Sequence, residues 1–343
     1  MRRDPVRRVL REIERAAERL DLRGHTVLAA VSGGLDSTVL ADAFVRCAIP
    51  VVIGHVNHGL RGAESDADAQ AVAALAARLG VPFAAERVAP HALREDTSSR
   101  DRPTLQEAAR ELRYAALDRI AAQLGADRIA TAHHADDQAE TVFLRLLRGT
   151  GPDGLGGIPE TSPDGRIVRP LLRLSRAELE RYAAARALAW REDSSNASPD
   201  YARNRLRAQL PALARDFNPQ WLRAIADLAE AQRRDSEWIR GWVQREADAR
   251  FTSEGSWLRI DAKDWRALPE ALSRRLAREA LVRAGAARHV ERVHLERIAR
   301  FLGGVSRGRR IELPGGLELR CDRAGFRLGP LPGDPPTRGE SVC

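Results

Sequence analysis

At 343 residues, with 43% hydrophobic and 30% charged positions, the chain has room for a sizeable buried core and for two domains, as expected of a soluble globular protein. A formal net charge of +8 and a pI near 10.4 are the electrostatic footprint of a phosphate-rich partner, although a genome that favours arginine codons contributes to both. Cys47, Cys321 and Cys343 are odd in number and far apart, which excludes a disulfide framework and a CxxC metal or redox site and suits a reducing cytoplasm.

Apolar residues recur at helical spacing over 6–20 and predict a first amphipathic helix. Short apolar runs then alternate with helical patterns. HTVLAAV precedes a helix through DSTVLADAFVRCA, and VVIGHV precedes one through DADAQAVAALAARLG. VPFAAERV leads to TLQEAARELRYAALDRIAAQLG, and DRIATAH to DDQAETVFLRLLRG. This alternation predicts an α/β fold, a doubly wound and mainly parallel sheet covered on both faces, in which ligands collect at the carboxyl ends of the strands. From about residue 150 the rhythm stops in the Gly/Pro-rich GTGPDGLGGIPETSPDG, followed by RPLL and a helix from near Ser175. EDSSNASPDYARNRLR, 192–207, carries too many turn formers for a regular element until its end. Helices are expected from Asn218 to Arg250, then a smaller C-terminal α+β domain with strands in GSWLRI, RRIELPGGLELRCDR and GFRLG. The expected organisation is a catalytic domain over 1–215, a C-terminal domain over 216–329 and a Pro/Gly tail over 330–343 with nothing to bury. No stretch approaches the ~18 to 20 apolar residues of a membrane span. The N-terminus, basic but with an acid every few residues, lacks the apolar segment of a signal peptide.

Three clusters fall at strand ends. Ser32-Gly33-Gly34-Leu35-Asp36-Ser37 lies between a strand and a helix, where glycines allow a tight turn and the helix N-terminus attracts anions. It is a phosphate cradle without the lysine of a Walker loop; a plain capped turn is the simpler reading of the glycines alone. Asp36 beside phosphate makes sense as a Mg²⁺ ligand, because the cation bridges two like charges. His55, Asn57 and His58 follow the second strand, where neutral imidazole and amide groups suit hydrogen bonds to a nucleotide; a metallohydrolase site using these histidines and the THHADD-like text at 133–137 is the competing reading. In AHHADDQAET, Asp136 and Asp137 lie four and three residues before Glu140, so the carboxylates share a helix face that asks for a cation, Mg²⁺ or an ammonium substrate. Ordinary enrichment of acids in a first helical turn is the plainer explanation. Arg110 and Arg113 either pair with nearby acids or balance charge developing on phosphate.

The SGGLDS stretch in its strand–turn–helix setting resembles the pyrophosphate loop of the N-type ATP pyrophosphatases, a Rossmann-like superfamily that cleaves ATP between its α and β phosphates. With HVNHGLR, QEAARELRY, TAHHADDQAETVFLRLLRGTG, GLGGI, RPLL and EDSSNASPDYARNRLR, the series over roughly 25–215 resembles the tRNA(Ile)-lysidine synthetases. The resemblance implies ATP as co-substrate with Mg²⁺, and free L-lysine and an isoleucine tRNA with a CAU anticodon as partners. It implies adenylation of carbon 2 of the wobble cytidine and displacement of AMP by the lysine ε-amine. Ser32, Gly33, Gly34, Leu35, Asp36, Ser37, His55, Asn57 and His58 would hold ATP, with Asp36 on Mg²⁺. Asp36, Asp137 and Arg113 would be catalytic, with Asp137 the candidate acceptor of the amine proton. Asp137, Glu140 and His133 would hold lysine, and Arg203, Asn204 and Arg205 the tRNA, Arg205 alternatively the lysine carboxylate. The cytoplasm is the expected location, no membrane is involved and a homodimer is compatible. Longer members carry a further small C-terminal domain. A tRNA 2-thiolating enzyme of the superfamily, which would need cysteines, and a non-catalytic RNA-binding protein are the alternatives.

Overall fold

The computed structural model of the chain describes residues 4–59, 62–91, 104–191, 202–286, 290–304, 308–323 and 325–331. Leu60 and Arg61 of the HVNHGLR motif, residues 192–201 and the expected tail from 332 lie outside them. The chain forms two compact units, Met1–Arg233 and Arg234–Cys343. The boundary expected near residue 215 falls inside the first of these, within a helix.

The first unit is built on β1 (Val27–Ala30), β2 (Val51–Asn57), β3 (Phe83–Arg87), β4 (Arg128–Ala130) and β5 (Ile167–Val168), a five-stranded sheet in the order β3-β2-β1-β4-β5. All its strand pairings are parallel. Its helices are α1 (Pro5–Arg19), α2 (Leu35–Arg46), α3 (Ala63–Leu79), α4 (Leu105–Leu124), α5 (Ala135–Leu147), the single turn α6 (Pro152–Leu155), α7 (Arg176–Ala185) and α8 (Ala202–Phe217), with α9 (Trp221–Arg250) beginning here.

Both faces of the sheet are covered, which is why β1 reads as an uninterrupted apolar run. Val27 and Ala29 pack into a core with Ile13 of α1, Phe44 of α2 and Leu179 of α7. Leu28, one residue out of phase, packs with Leu117, Ile120 and Ala121 of α4 on the other face. The helix ends follow from local chemistry. Asp4 caps α1 by accepting from Val6 N at 2.9 Å, ahead of Pro5 at the first helical position. Thr104 with Glu107, and Ser175 with Glu178, form capping boxes that start α4 and α7. β5 was not foreseen, because two residues after a Gly/Pro-rich stretch carry no strand periodicity.

In the second unit, β6 (Phe251–Glu254), β7 (Trp257–Ile260), β8 (Arg310–Leu313), β9 (Leu317–Asp322) and β10 (Gly325–Pro330) form an antiparallel sheet in the order β6-β7-β10-β9-β8. Leu258, Ile260, Leu319 and Leu328 pack against Leu276 and Leu281 of α10 (Glu270–Arg283) and Ile298 of α11 (Arg292–Leu302). β6 was also missed; FTSE has one buried residue, Phe251, and otherwise polar, exposed positions.

β1 continues to β2 on one side and neighbours β4 on the other, so the order of the parallel sheet reverses between β1 and β4. At such a switch point the loops leaving the two strands diverge and open a crevice at their carboxyl ends.

One polar contact inside the first core has a measurable weight. Tyr182, fully buried on α7, donates its hydroxyl to Asp42 Oδ2 of α2 at 2.6 Å, and Asp42 is itself buried, with Arg186 at 3.4 Å as its other partner. Tyr182→Phe should lower the stability of the chain by about 1–3 kcal/mol, because it strips a donor from a buried carboxylate at almost constant volume. Chemical denaturation of the variant checks this, and an unchanged midpoint would contradict it.

Candidate active site

The loop from β1 to α2 forms one wall of the crevice. Gly33 adopts φ +93°, a conformation a side chain resists, and its carbonyl accepts from Arg191 N at 3.0 Å. Ser37 Oγ donates to Gly34 O at 3.0 Å and accepts from Ser32 N at 3.2 Å, and the Ser32 and Ser37 hydroxyls lie 3.2 Å apart. These bonds fold the loop back on the start of α2. Gly34 enters that helix in extended conformation with no side chain capping it, so the positive end of the helix dipole stands uncovered at the end of β1. Leu35 is buried in the core and anchors the turn rather than facing the crevice.

The opposite wall is the loop from β4 into α5. Its His134 side chain is 3% exposed and stands among three carboxylates, with Nε2 3.6 Å from Asp36 Oδ2 and 3.5 Å from Asp137 Oδ2, and Nδ1 3.4 Å from Asp136 Oδ2. Burial works against a charged ring, but Asp136, Asp36 and Asp137 outweigh it and push the imidazole up to about 10. It is a cation at neutral pH. The neighbouring His133 behaves oppositely. Burial, reinforced by Arg169, Arg113 and Arg203 against the pull of Asp137, drives it down to about 4, and its Nδ1 lies 2.9 Å from the Thr131 hydroxyl.

Asp36 Oδ2 also meets Arg176 at 3.4 Å, whereas Asp36 Oδ1 is buried and has no hydrogen-bond partner. Asp136 Oδ2 accepts from Arg176 N at 2.8 Å, and Asp137 Oδ2 accepts from His134 N at 3.0 Å. Despite its burial, Asp137 is held below the usual carboxylate range by His134 and His133. That makes it a weaker proton acceptor than an ordinary aspartate, which differs from the role expected of it.

Glu140, 1% exposed on α5, is saturated by α8. Arg203 Nε donates to Oε2 at 2.7 Å, Arg207 Nε to Oε1 at 2.6 Å and Arg207 Nη2 to Oε2 at 3.0 Å. The same guanidiniums reach to 3.8 and 3.7 Å from Asp137 Oδ1. The sequence reading gave Arg203 to tRNA; the structure instead turns it onto the acidic cluster. Arg205, two residues on, lies on the other side of α8 and is exposed, and Asn204 beside it is half-buried. Arg207 and Arg176 were not singled out. The i, i+4 spacing of Arg203 and Arg207 opposite a helix with acids at the same spacing was the available signal.

At the end of β2 the three expected residues divide. Asn57 is engaged internally, donating to Asp66 Oδ1 at 2.9 Å and Ser65 O at 3.3 Å and accepting from Gly59 N at 2.8 Å, so it shapes the loop into α3. His55 Nδ1 donates to Val31 O at 2.8 Å, which makes its buried and partnerless Nε2 an acceptor; burial keeps the ring neutral. His58 has a buried, partnerless Nδ1 and is also pushed toward neutrality by burial and by Arg113.

Beside His58 and His133 lies a guanidinium cluster. Arg110 and Arg113 each stand 5.1 Å from the Tyr114 ring centre, and Arg113, Arg110 and Arg169 outweigh burial to bring the Tyr114 phenol below its ordinary value. The Nε atoms of Arg113 and Arg169 and the Tyr114 hydroxyl are buried without partners. Donors left in this state favour an anion. Tyr114 and Arg169 were visible in the motifs, but the sequence offered no role for either. Among the described residues no three of His, Cys, Asp and Glu are placed to hold a metal ion together.

The two adjacent histidines yield a direct check. In the protein free of nucleotide and Mg²⁺, the His134 ring should remain doubly protonated at pH 8 while His133 is neutral, read by nitrogen chemical shifts of the imidazoles. Since the folded value of His134 lies above its ordinary 6.5, its contribution to stability is complete below that pH and is lost as pH rises through about 10. A His134 ring neutral at pH 8 would contradict the charge arrangement.

A PP-loop domain family matches residues 6–213, and a TilS substrate binding domain family matches residues 261–325. A tRNA(Ile)-lysidine synthase of Solibacter usitatus is 38% identical over 309 residues, covering 89% of this chain and 68% of that one. The protein of that name from Methylobacterium nodulans is 38% identical over 319 residues, covering 89% of this chain and 90% of its own length. The one from Thermus thermophilus is 39% identical over 308 residues, covering 89% of this chain and 57% of its own length. Among solved structures, the U34-tRNA thiolase NcsA of Methanococcus maripaludis superposes with a TM-score of 0.54 at 18% identity, over 66% of this chain and 78% of that one, a likeness of fold. With relatives this similar along most of its length, a pyrophosphate loop at the switch point and a match to the substrate-binding domain beyond it, the chain belongs to the tRNA(Ile)-lysidine synthase family.

Proposed function

We propose that the chain makes lysidine on an isoleucine tRNA with a CAU anticodon in two steps. The wobble cytidine O2 attacks the α-phosphorus of ATP and pyrophosphate leaves; the lysine ε-nitrogen, deprotonated to the free amine, then attacks carbon 2, the bond from carbon 2 to oxygen breaks, AMP leaves and the newly bonded nitrogen gives its extra proton to water. The observation that best supports this reading is the uncovered amino end of α2 beside the partnerless Asp36 Oδ1.

Mg²⁺ fits that oxygen, since it takes hard ligands and is commonly held by one or two carboxylates with phosphate oxygens completing its shell. Asp36 would hold it, and when bound it would neutralise the leaving pyrophosphate. The turn of Ser32 to Ser37 presents the helix end to the phosphates. His55 Nε2 and His58 Nδ1 offer polar atoms to the nucleotide, and Arg113 offers a partnerless Nε to charge developing during adenylation.

For the second step, Asp137 and Glu140 attract the lysine ammonium and His133 lines the approach. Glu140 already accepts three bonds from Arg203 and Arg207, so the ammonium competes with these guanidiniums for its oxygens. Bringing an amine of pKa ~10.4 to neutrality at pH 7 costs about 4 to 5 kcal/mol, and neither Asp137 nor His133 has a raised proton affinity to meet it. The ammonium therefore gives its first proton to solvent before the nitrogen attacks, and the second N–H proton passes to water as AMP departs, with no pre-set base of raised proton affinity. The C-terminal unit, with its match to the substrate-binding domain, holds the body of the tRNA. Thiolation is less well supported: Cys47 is buried, and burial followed by Glu14 pushes its thiol up to about 11, far from a reactive thiolate.

The two half-reactions separate the residues. Asp36→Ala should abolish pyrophosphate release from ATP and tRNA in the absence of lysine while the fold persists by circular dichroism; turnover at the wild-type rate would remove Asp36 from the first step. Glu140→Gln should spare that release within about twofold and raise the lysine concentration needed for the second step roughly tenfold, the loss of about 1.4 kcal/mol of charge pairing. Equal loss of both half-reactions would move Glu140 to the ATP side.

A further inference from the structure

Resting on the reading above that the C-terminal unit holds tRNA, we infer that Trp238 and Trp242 on α9 are a stacking platform for unpaired bases of that RNA. Trp238 is 68% exposed and Trp242 37%, and their ring centres lie 6.0 Å apart at 46°. Their spacing of four places both on one side of the helix. The core of the second unit takes other residues of α9, namely Val243 and Ala247 with Ile239 packed against them. The rings therefore stay out although an indole is among the most favourable side chains to bury. Of the other four tryptophans, Trp265 is 3% exposed, Trp221 meets Phe143 with ring centres 6.4 Å apart, Trp257 lies under the Arg320 guanidinium at 4.1 Å, and Trp190 of the first unit is 38% exposed but has no second ring paired with it among the described residues.

The surroundings of the pair favour a nucleic acid over an apolar protein partner. Arg234, four residues before Trp238, and Arg245, three after Trp242, extend the same stripe and are exposed, while Gly241 between the rings adds no side chain. Asp235 and Glu246 lie at its edge, Glu246 paired to Arg250 at 3.2 Å. Two rings flanked by guanidiniums, on a chain of net charge +8, make a narrow aromatic strip with phosphate-binding ends. Every base has a π-face, so each ring accepts a base without reading its identity. The chemistry that fits is an unstacked nucleotide of the tRNA body or its single-stranded end, whose backbone runs along the arginines.

The test measures tRNA affinity of the full chain at two salt concentrations for wild type, Trp238→Ala, Trp242→Ala, Trp238→Phe and Arg245→Ala. Each alanine variant should weaken binding roughly tenfold, in line with the worth of one stacked base, and Trp238→Phe should restore most of it. The salt slope should be unchanged in the tryptophan variants, because stacking releases no counterions, and reduced by about 0.7 to 0.9 in Arg245→Ala. Wild-type affinity in both alanine variants overturns the inference. So does a loss of self-association by sedimentation with tRNA affinity intact, which would make the face a contact between copies. A wild-type chain that fails to bind tRNA would instead strike the functional reading on which the inference rests.

Discussion

Three carboxylates from two loops converge on one buried imidazole, and the rest of the site is arranged around the resulting charge. Asp36 comes from the start of α2, Asp136 and Asp137 from the start of α5, and His134 stands between them. Without a cation there, like charges would repel across the crevice in surroundings of low dielectric, where an unpaired ion is costly. The parallel sheet brings the two helix starts together because its strand order reverses between β1 and β4. The fold thus fixes the distance between the carboxylates, and His134 makes that distance tolerable.

A second balance lies one helical turn away. Glu140, more deeply buried than the aspartates, is held by Arg203 and Arg207 from α8. The acidic wall of α5 therefore meets a histidine cation on one side and two arginines on the other. Beyond it, Arg110, Arg113 and Arg169 around Tyr114 carry the opposite sign. Both signs of charge thus lie in neighbouring parts of the same unit, with the neutral His133 between them.

Much of this was legible in the sequence where local pattern and tertiary role coincide. The β1 run with its glycine turn announced a buried parallel strand feeding a helix start, and the acids of AHHADDQAET announced a need for positive charge, which the structure meets from His134, Arg203 and Arg207 of the chain itself. What the sequence left open were choices that only packing makes. His133 and His134 are adjacent and chemically identical, yet one faces guanidiniums and the other carboxylates, so their proton affinities diverge in opposite directions. Asn57 looked like a nucleotide ligand, but its amide is consumed by its own loop. Arg203 looked like a tRNA contact until α8 laid it against Glu140. β5 and β6 were invisible because one is two residues long and the other buries a single ring.

The central claim is that ATP activates the RNA base rather than the amino acid. Isotope exchange between pyrophosphate and ATP measures this directly, with tRNA and lysine supplied separately. Exchange that requires tRNA and proceeds without lysine is the result the proposed order of steps predicts. Exchange that requires lysine and proceeds without tRNA would contradict it, because the amino acid carboxylate would then be the group adenylated.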